Sequence, residues 1–308
     1  MKKSVVKPGV APAPPGEGEF SLIPNDKLLD LYAAMLKCRM IARIVPIGKQ
    51  NRRPGSKVHS EAVTAGVTID LLAGDAISPA ASDLTPCLVK NSALESIPLK
   101  SLLHWWSNPS ARMPGVVVRA NVIPPAASTA ARIEAALRLA AYFRSTNSGS
   151  VVVLFMGPDS PQPKRYAAAN LPQLQLQSFM SRVALARLPI LFVMQSESDS
   201  DDFMPLSQLS GVPGMVVDCH DVVAVYRAAS EALTHARRGN GPSLIHSKPW
   251  RLAGDLPKKR ETGDSIAKME LYLTGKGLAY RSVKDRIIEK FNAELGRTGI
   301  KADRLKKS

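Results

Sequence analysis

The sequence predicts an α/β fold built on a doubly wound, mostly parallel sheet flanked by helices. Two observations carry this. Short continuous apolar runs, VVVLFM at 151–156 and ILFVM at 190–194, have no polar alternation, as expected of strands buried on both faces of a parallel sheet. Between them lie segments of helical periodicity, and such alternation requires right-handed crossovers that put helices on both faces. The composition agrees: of 308 residues, 45% are hydrophobic but only 5% aromatic, so the core should be aliphatic.

Residues 1–20 are rich in Pro and Gly (PGVAPAPPGEGEF), lack periodicity and are expected to form a flexible tail, with residues 21–308 as one domain. Two lysines open the chain without an apolar run behind them, so no signal peptide is expected. No segment reaches the roughly 18 apolar residues of a membrane span. Asn25 can cap a first helix, since Leu28, Leu29, Tyr32, Met35, Leu36 and Met40 follow at helical spacing. Residues 48–57 form a basic polar loop. Ser60 is placed to cap a second helix, EAVTAGVTIDLL, whose small residues suit close packing. Residues 75–78 are expected as a turn into an irregular region, and residues 99–106 as a short helix in which Trp105 and Trp106 serve packing.

Residues 128–144 form an Ala-rich amphipathic helix feeding the strand at 151–156. A helix ending near Leu188 precedes the strand at 190–194. Then follow a strand at 215–217, a helix at 222–238, a strand at 243–246, and closing helices at 265–273 and 283–295.

The net charge of +15 favours anionic partners and is balanced against a simple solvated basic surface. Few aromatics and no reader motif make nucleic acid an unfavoured partner. Cys38, Cys87 and Cys219 are far apart and form no CxxC pair, so neither a zinc framework nor disulfides are expected, and a reducing cytoplasmic compartment fits. Among the histidines, His59 at a helix start reads as a surface or capping residue, His104 lies beside the tryptophans, His220 stands in a turn, His235 lies on a helix face, and His246 falls in an apolar strand as a buried, satisfied residue. No pair has metal spacing, and no catalytic residue is assigned.

The stretch GVPGMVVDCHDVVAVYRAASEALTHARRGNGPSLIHSKPWR carries Pro213, Gly214, Val217, Asp218, Asp221, Ala236, Arg237, Gly239, Gly241, Pro242 and Arg251. With LLDLYAAMLKCRMI, HSEAVTAGVTIDLLAGDAISP and KMELYLTGKGL it resembles, in order, the alpha subunit of the thiamine-diphosphate-dependent 2-oxoacid dehydrogenases of the pyruvate and branched-chain types. The resemblance implies decarboxylation of a 2-oxo acid and transfer of the acyl group to lipoyl. It implies thiamine diphosphate and magnesium as cofactors, and as partners a beta subunit and a lipoyl acyltransferase core, with homo-oligomers as an alternative. Mapped onto this chain, it implies Gly157, Asp159 and Arg251 as cofactor contacts and Asp159 and Glu197 as magnesium ligands.

Several positions depart from the family pattern. A Gly-Asp-Gly turn would let backbone approach the diphosphate while its acid binds the metal. Here the turn reads Gly157-Pro158-Asp159-Ser160-Pro161, which displaces the acid and inserts φ-fixing prolines. Gln195-Ser196-Glu197 replaces an Asn pair, Ala81 and Ser82 replace a basic pair, and Gly254-Asp255-Leu256 puts an acid where a histidine would face the diphosphate. Three functions follow as expectations: a decarboxylating subunit, a non-catalytic relative that keeps the scaffold, and a basic anion binder.

Overall fold

The computed structural model describes residues 23–44, 61–80, 85–89, 121–123, 129–157, 173–196, 203–249 and 264–298. The expectations for the tail at 1–20, the loop at 48–57, Ser60, the helix at 99–106 with Trp105 and Trp106, and His59 and His104 lie outside these residues.

Five parallel strands, β1 (Ala76–Ser78), β2 (Val152–Met156), β3 (Ile190–Gln195), β4 (Gly214–Asp218) and β5 (Ser243–Lys248), form one sheet in the order β1-β2-β3-β5-β4. Register is continuous: Val152 pairs with Ala76 and Ile190, and Ile245 pairs with Val193 and Met215. The apolar runs at 151–156 and 190–194 are buried throughout, as parallel pairing requires. Their side chains alternate between two cores. Val153, Phe155, Leu191, Val193 and Ile245 face α2 (Glu61–Thr68) and α7 (Val222–Arg237). Val152, Leu154, Met156, Ile190, Phe192 and Met194 face α4 (Thr129–Ser145), α5 (Gln173–Leu185) and α6 (Met204–Ser210). The sheet is therefore covered on both faces, as predicted.

A further layer lies outside α2. There α1 (Asn25–Ile44) and α8 (Ser265–Gly275) bury Leu28, Leu31, Met35, Ile266, Met269 and Leu273 against Ala62 and Ala65, with α9 (Tyr280–Thr298) beside them. The small residues foreseen in α2 do serve close packing: a Cβ at Gly66 would come within 2.8 Å of Val225 Cγ1 on α7. Tyr32 on α1 donates a 2.6 Å hydrogen bond to Glu270 on α8, and Lys284 on α9 closes on the same carboxylate at 2.9 Å. Burial alone would push the Glu270 carboxyl up, but the Tyr32 hydroxyl and the Lys284 ammonium outweigh it and hold it below the usual range. A carboxyl so depressed stabilises the fold above the ordinary carboxylate range and loses that contribution as pH falls. Glu270→Gln is therefore expected to be about 1–2 kcal/mol less stable at neutral pH. Its melting temperature should also fall less on acidification to about pH 3, below the ordinary Glu value. Parallel pH–melting curves for the two proteins would contradict this.

Five local expectations are corrected. Residues 76–78 form β1 rather than a turn; three residues are too few to display a period, and their order comes from pairing with β2. The second helix stops at Thr68 instead of running on through LL, with Thr68 Oγ1 bonded back to the Thr64 carbonyl. Helix α6, entered through Pro205 and left through Gly211 at φ 68°, was hidden behind a Pro-containing, acidic stretch that reads as loop. Asn25 is the first helical residue, not the residue before the helix, because the Leu28 N–H already donates to the Pro24 carbonyl. A short α3 (Thr85–Val89) lies within the region expected to be irregular.

Candidate functional site

In open parallel sheets, ligands are received beyond the carboxyl ends of the strands. All five strands run the same way, so that edge gathers the residues after Ser78, Met156 and Gln195, the Asp218 turn, and Lys248.

Its most unusual member is Arg132, on the first turn of α4. It stands on the stripe that also carries Ala136 and Ala140, and it is the largest fully buried side chain among the described residues. Nη1 donates to the carbonyls of Phe155 at 2.7 Å and Pro79 at 2.8 Å, with longer contacts of 3.5 Å to the Ser78 carbonyl and hydroxyl. A guanidinium thus ties α4 to the ends of β1 and β2. Its sequence signal was an arginine on the apolar stripe of an Ala-rich helix.

Gly157, the first predicted cofactor contact, is buried directly after β2. A Cβ there would stand 3.2 Å from the Gln195 Oε1 at the end of β3, so the absence of a side chain lets the two strand ends close on each other. The Gln195 Nε2 is buried without a hydrogen-bond partner among the described residues. Next to it, Ser196 Oγ and His246 Nε2 share a 2.9 Å hydrogen bond, and the Phe203 ring stands edge-on to the imidazole at 5.0 Å. His246 is fully buried in β5, as expected. Asp159, Glu197 and Arg251 lie outside the described residues, as do Ala81, Ser82 and Asp255. Among the described residues no carboxylate stands at the ends of β1, β2 or β3.

At the sheet's other side, β4 ends in Asp218 and the Cys219-His220 turn leads into α7, capped by Asp221 onto the N–H groups of Val223 and Ala224. His220 accommodates the turn at negative φ, since the non-Gly residues with positive φ among those described are Asn121, Asn147 and Arg187. Burial raises the Asp218 carboxyl, yet hydrogen bonds from His220 and Lys268 pull it well below its usual range. Burial, reinforced by Asp218, pushes the Cys219 thiol up to about 12, so it is not an activated nucleophile. None of the three cysteines forms a disulfide. No described helix is long and apolar enough to cross a membrane.

The fold and this edge define a doubly wound α/β protein with a polar floor at the carboxyl ends of its central strands. The family profile for the dehydrogenase E1 component matches residues 32–307, and the chain belongs to that family. It is 25% identical over 301 residues to the pyruvate dehydrogenase E1 component subunit alpha of Acholeplasma laidlawii, spanning 91% of this chain and 85% of that one. With the subunit of the same name from Staphylococcus aureus it shares 33% over 111 residues, which is 32% of this chain and 30% of that one. Among solved structures it is similar to a putative thiamin diphosphate-dependent enzyme from Mycobacterium smegmatis (TM-score 0.38, 14% identity, 61% of this chain, 31% of that one). It is also similar to a transketolase mutant from Pichia stipitis (TM-score 0.45, 10% identity, 88% of this chain, 46% of that one). The chain thus spans less than half the length of either structure.

Proposed function

We propose that this chain is an alpha-type subunit of a 2-oxo-acid dehydrogenase assembly that keeps the family scaffold but has lost its grip on thiamine diphosphate and magnesium. It would act as a non-catalytic subunit beside a beta-type partner in the cytoplasm, within reach of a lipoyl acyltransferase core. The observation that carries this is the commitment of Arg132: the buried cation at the ends of β1 and β2 donates to strand carbonyls. Among the described residues the ends of β1, β2 and β3 carry no carboxylate of the kind magnesium prefers. The loop sequence Gly157-Pro158-Asp159-Ser160-Pro161 with Gln195-Ser196-Glu197 supports the reading that the residues present do not fit the metal–diphosphate head. Titration with thiamine diphosphate and magnesium, followed by calorimetry, is expected to show no saturable binding at millimolar cofactor. A micromolar isotherm would overturn the proposal.

A second reading, an active decarboxylating subunit, is favoured by family membership and by one feature of the floor. The Gln195 amide is a buried donor without a described partner, at the end of β3 where Gly157 lets the two strand ends close. Release of carbon dioxide from a 2-oxo acid by the chain mixed with a beta-type subunit and both cofactors would decide for it.

A further inference from the structure

The turn between β4 and α7 brings together three different donor groups that the cofactor reading does not use. We propose that Asp218, Cys219 and His220 form a binding site for a zinc-class divalent ion with one coordination position left open. The donor atoms of the three residues lie within 4.8 Å of one another. The particular spacings matter more than their proximity. His220 Nδ1 stands 3.4 Å from Cys219 Sγ and 3.3 Å from Asp218 Oδ1. Zinc bonds to sulfur at about 2.3 Å and to nitrogen or oxygen at about 2.0–2.1 Å. A tetrahedral angle between such bonds puts a sulfur and a nitrogen ligand about 3.5 Å apart, and a nitrogen and an oxygen ligand about 3.3 Å apart. Two edges of the coordination polyhedron therefore already have close to the lengths an ion would impose.

The backbone holds this triangle in place. The Cys219 N–H donates to the Lys248 carbonyl at 3.0 Å, the His220 N–H to Asp218 Oδ1 at 3.0 Å, and the Asp221 N–H to the Asp218 carbonyl at 3.0 Å. Ordering entropy that a flexible chelating loop would lose on binding is thus lost on folding. The three side chains are half-buried, with Cys219 resting on the core beneath the sheet, so the cluster opens to solvent on one side. One thiolate, one imidazole and one carboxylate suit zinc and its neighbours, whereas calcium or magnesium would demand oxygen ligands. A bound ion ionises a coordinated thiol outright, replacing its proton.

The competing occupant is also visible. Lys268 on α8 places Nζ 2.8 Å from Asp218 Oδ2 and 3.3 Å from Asp221 Oδ2. It neutralises the carboxylates from the oxygen opposite the triangle. An ion at Asp218 Oδ1 would feel this ammonium as a repulsive neighbour, so removing Lys268 should strengthen binding.

The test is a cobalt(II) titration of the full chain, untagged and freed of metal, read by absorption. One equivalent should produce the visible bands of a four-coordinate centre and a near-ultraviolet thiolate-to-cobalt band, both discharged by zinc. Cys219→Ser should abolish the thiolate band, His220→Gln should weaken binding at least tenfold, and Lys268→Met should tighten it several-fold. Circular dichroism of each variant separates loss of the site from loss of the fold. Absence of the bands in folded wild-type protein, or a thiolate band that survives in Cys219→Ser, would overturn the proposal. An affinity unmoved by both His220→Gln and Lys268→Met would do the same.

Discussion

Arg132→Ala is expected to lower stability by about 3–5 kcal/mol, the sum of two stranded buried acceptors and a large-to-small cavity. The substitution leaves the carbonyls of Pro79 and Phe155 without the donor seen here, each a buried acceptor whose loss costs about 1–3 kcal/mol, and it opens a cavity under α4. Near this chain length each kcal/mol moves the midpoint by about 2–4 °C, so a fall of about 10 °C is anticipated. Arg132→Lys keeps the charge, but its shorter, non-planar head must bring one ammonium to where Nη1 meets both carbonyls, and it should fall between the two. Thermal and urea unfolding of the three proteins would check the order. If Arg132→Ala unfolded within 1 kcal/mol of wild type, the guanidinium would not be holding the strand ends, and the case against a cofactor role for it would weaken.

Continuous apolar runs made β2 and β3 plain, because burial on both faces leaves a mark on every residue. Helix α7 was equally plain, with Asp221 at its start and Val225, Ala229, Ala232 and Ala236 along one face. β1 was not, because Ala76–Ser78 is defined by its partner strand and not by its own pattern. At the site, Gly157 was found through resemblance, and its neighbour Gln195 gives the physical reason for it. Arg132 was missed since helical periodicity reads a charge among alanines as solvated. Its meaning depends on carbonyls 53 and 23 residues away in the chain. The Asp218–Cys219–His220 cluster escaped a search for spaced metal motifs because its donors are consecutive and converge only through the turn.

The Asp75 carboxylate governs how β1 reaches the site, and Asp75→Ala is expected to cost about 3–5 kcal/mol. Asp75 is fully buried, yet it accepts hydrogen bonds from the N–H of Leu72 at 2.7 Å and of Val151 at 2.9 Å, and from Arg237 Nη2 on α7 at 2.5 Å. It therefore joins the turn before β1, the start of β2 and the end of α7 at one point. Alanine would strand two backbone donors and a guanidinium together. Asparagine should help little, since its amide presents a donor to at least one of three donors. Arg237→Ala alone should cost less, because Arg237 is partly exposed and the two backbone donors keep their acceptor. The double variant should be more stable than the sum of the single changes predicts, with a coupling of about 1–3 kcal/mol, as removing the arginine relieves the unpaired charge. Amide hydrogen exchange gives a local readout: Val151 should lose protection in Asp75→Ala more than Val193 at the sheet centre. The consequence reaches the carboxyl edge, because β1 runs only from Ala76 to Ser78 before its last carbonyls meet Arg132. One carboxylate at the amino end and one guanidinium at the carboxyl end fasten a three-residue strand. Equal loss of protection at Val151 and Val193 would mean that Asp75 supports the fold globally and does not fasten that strand.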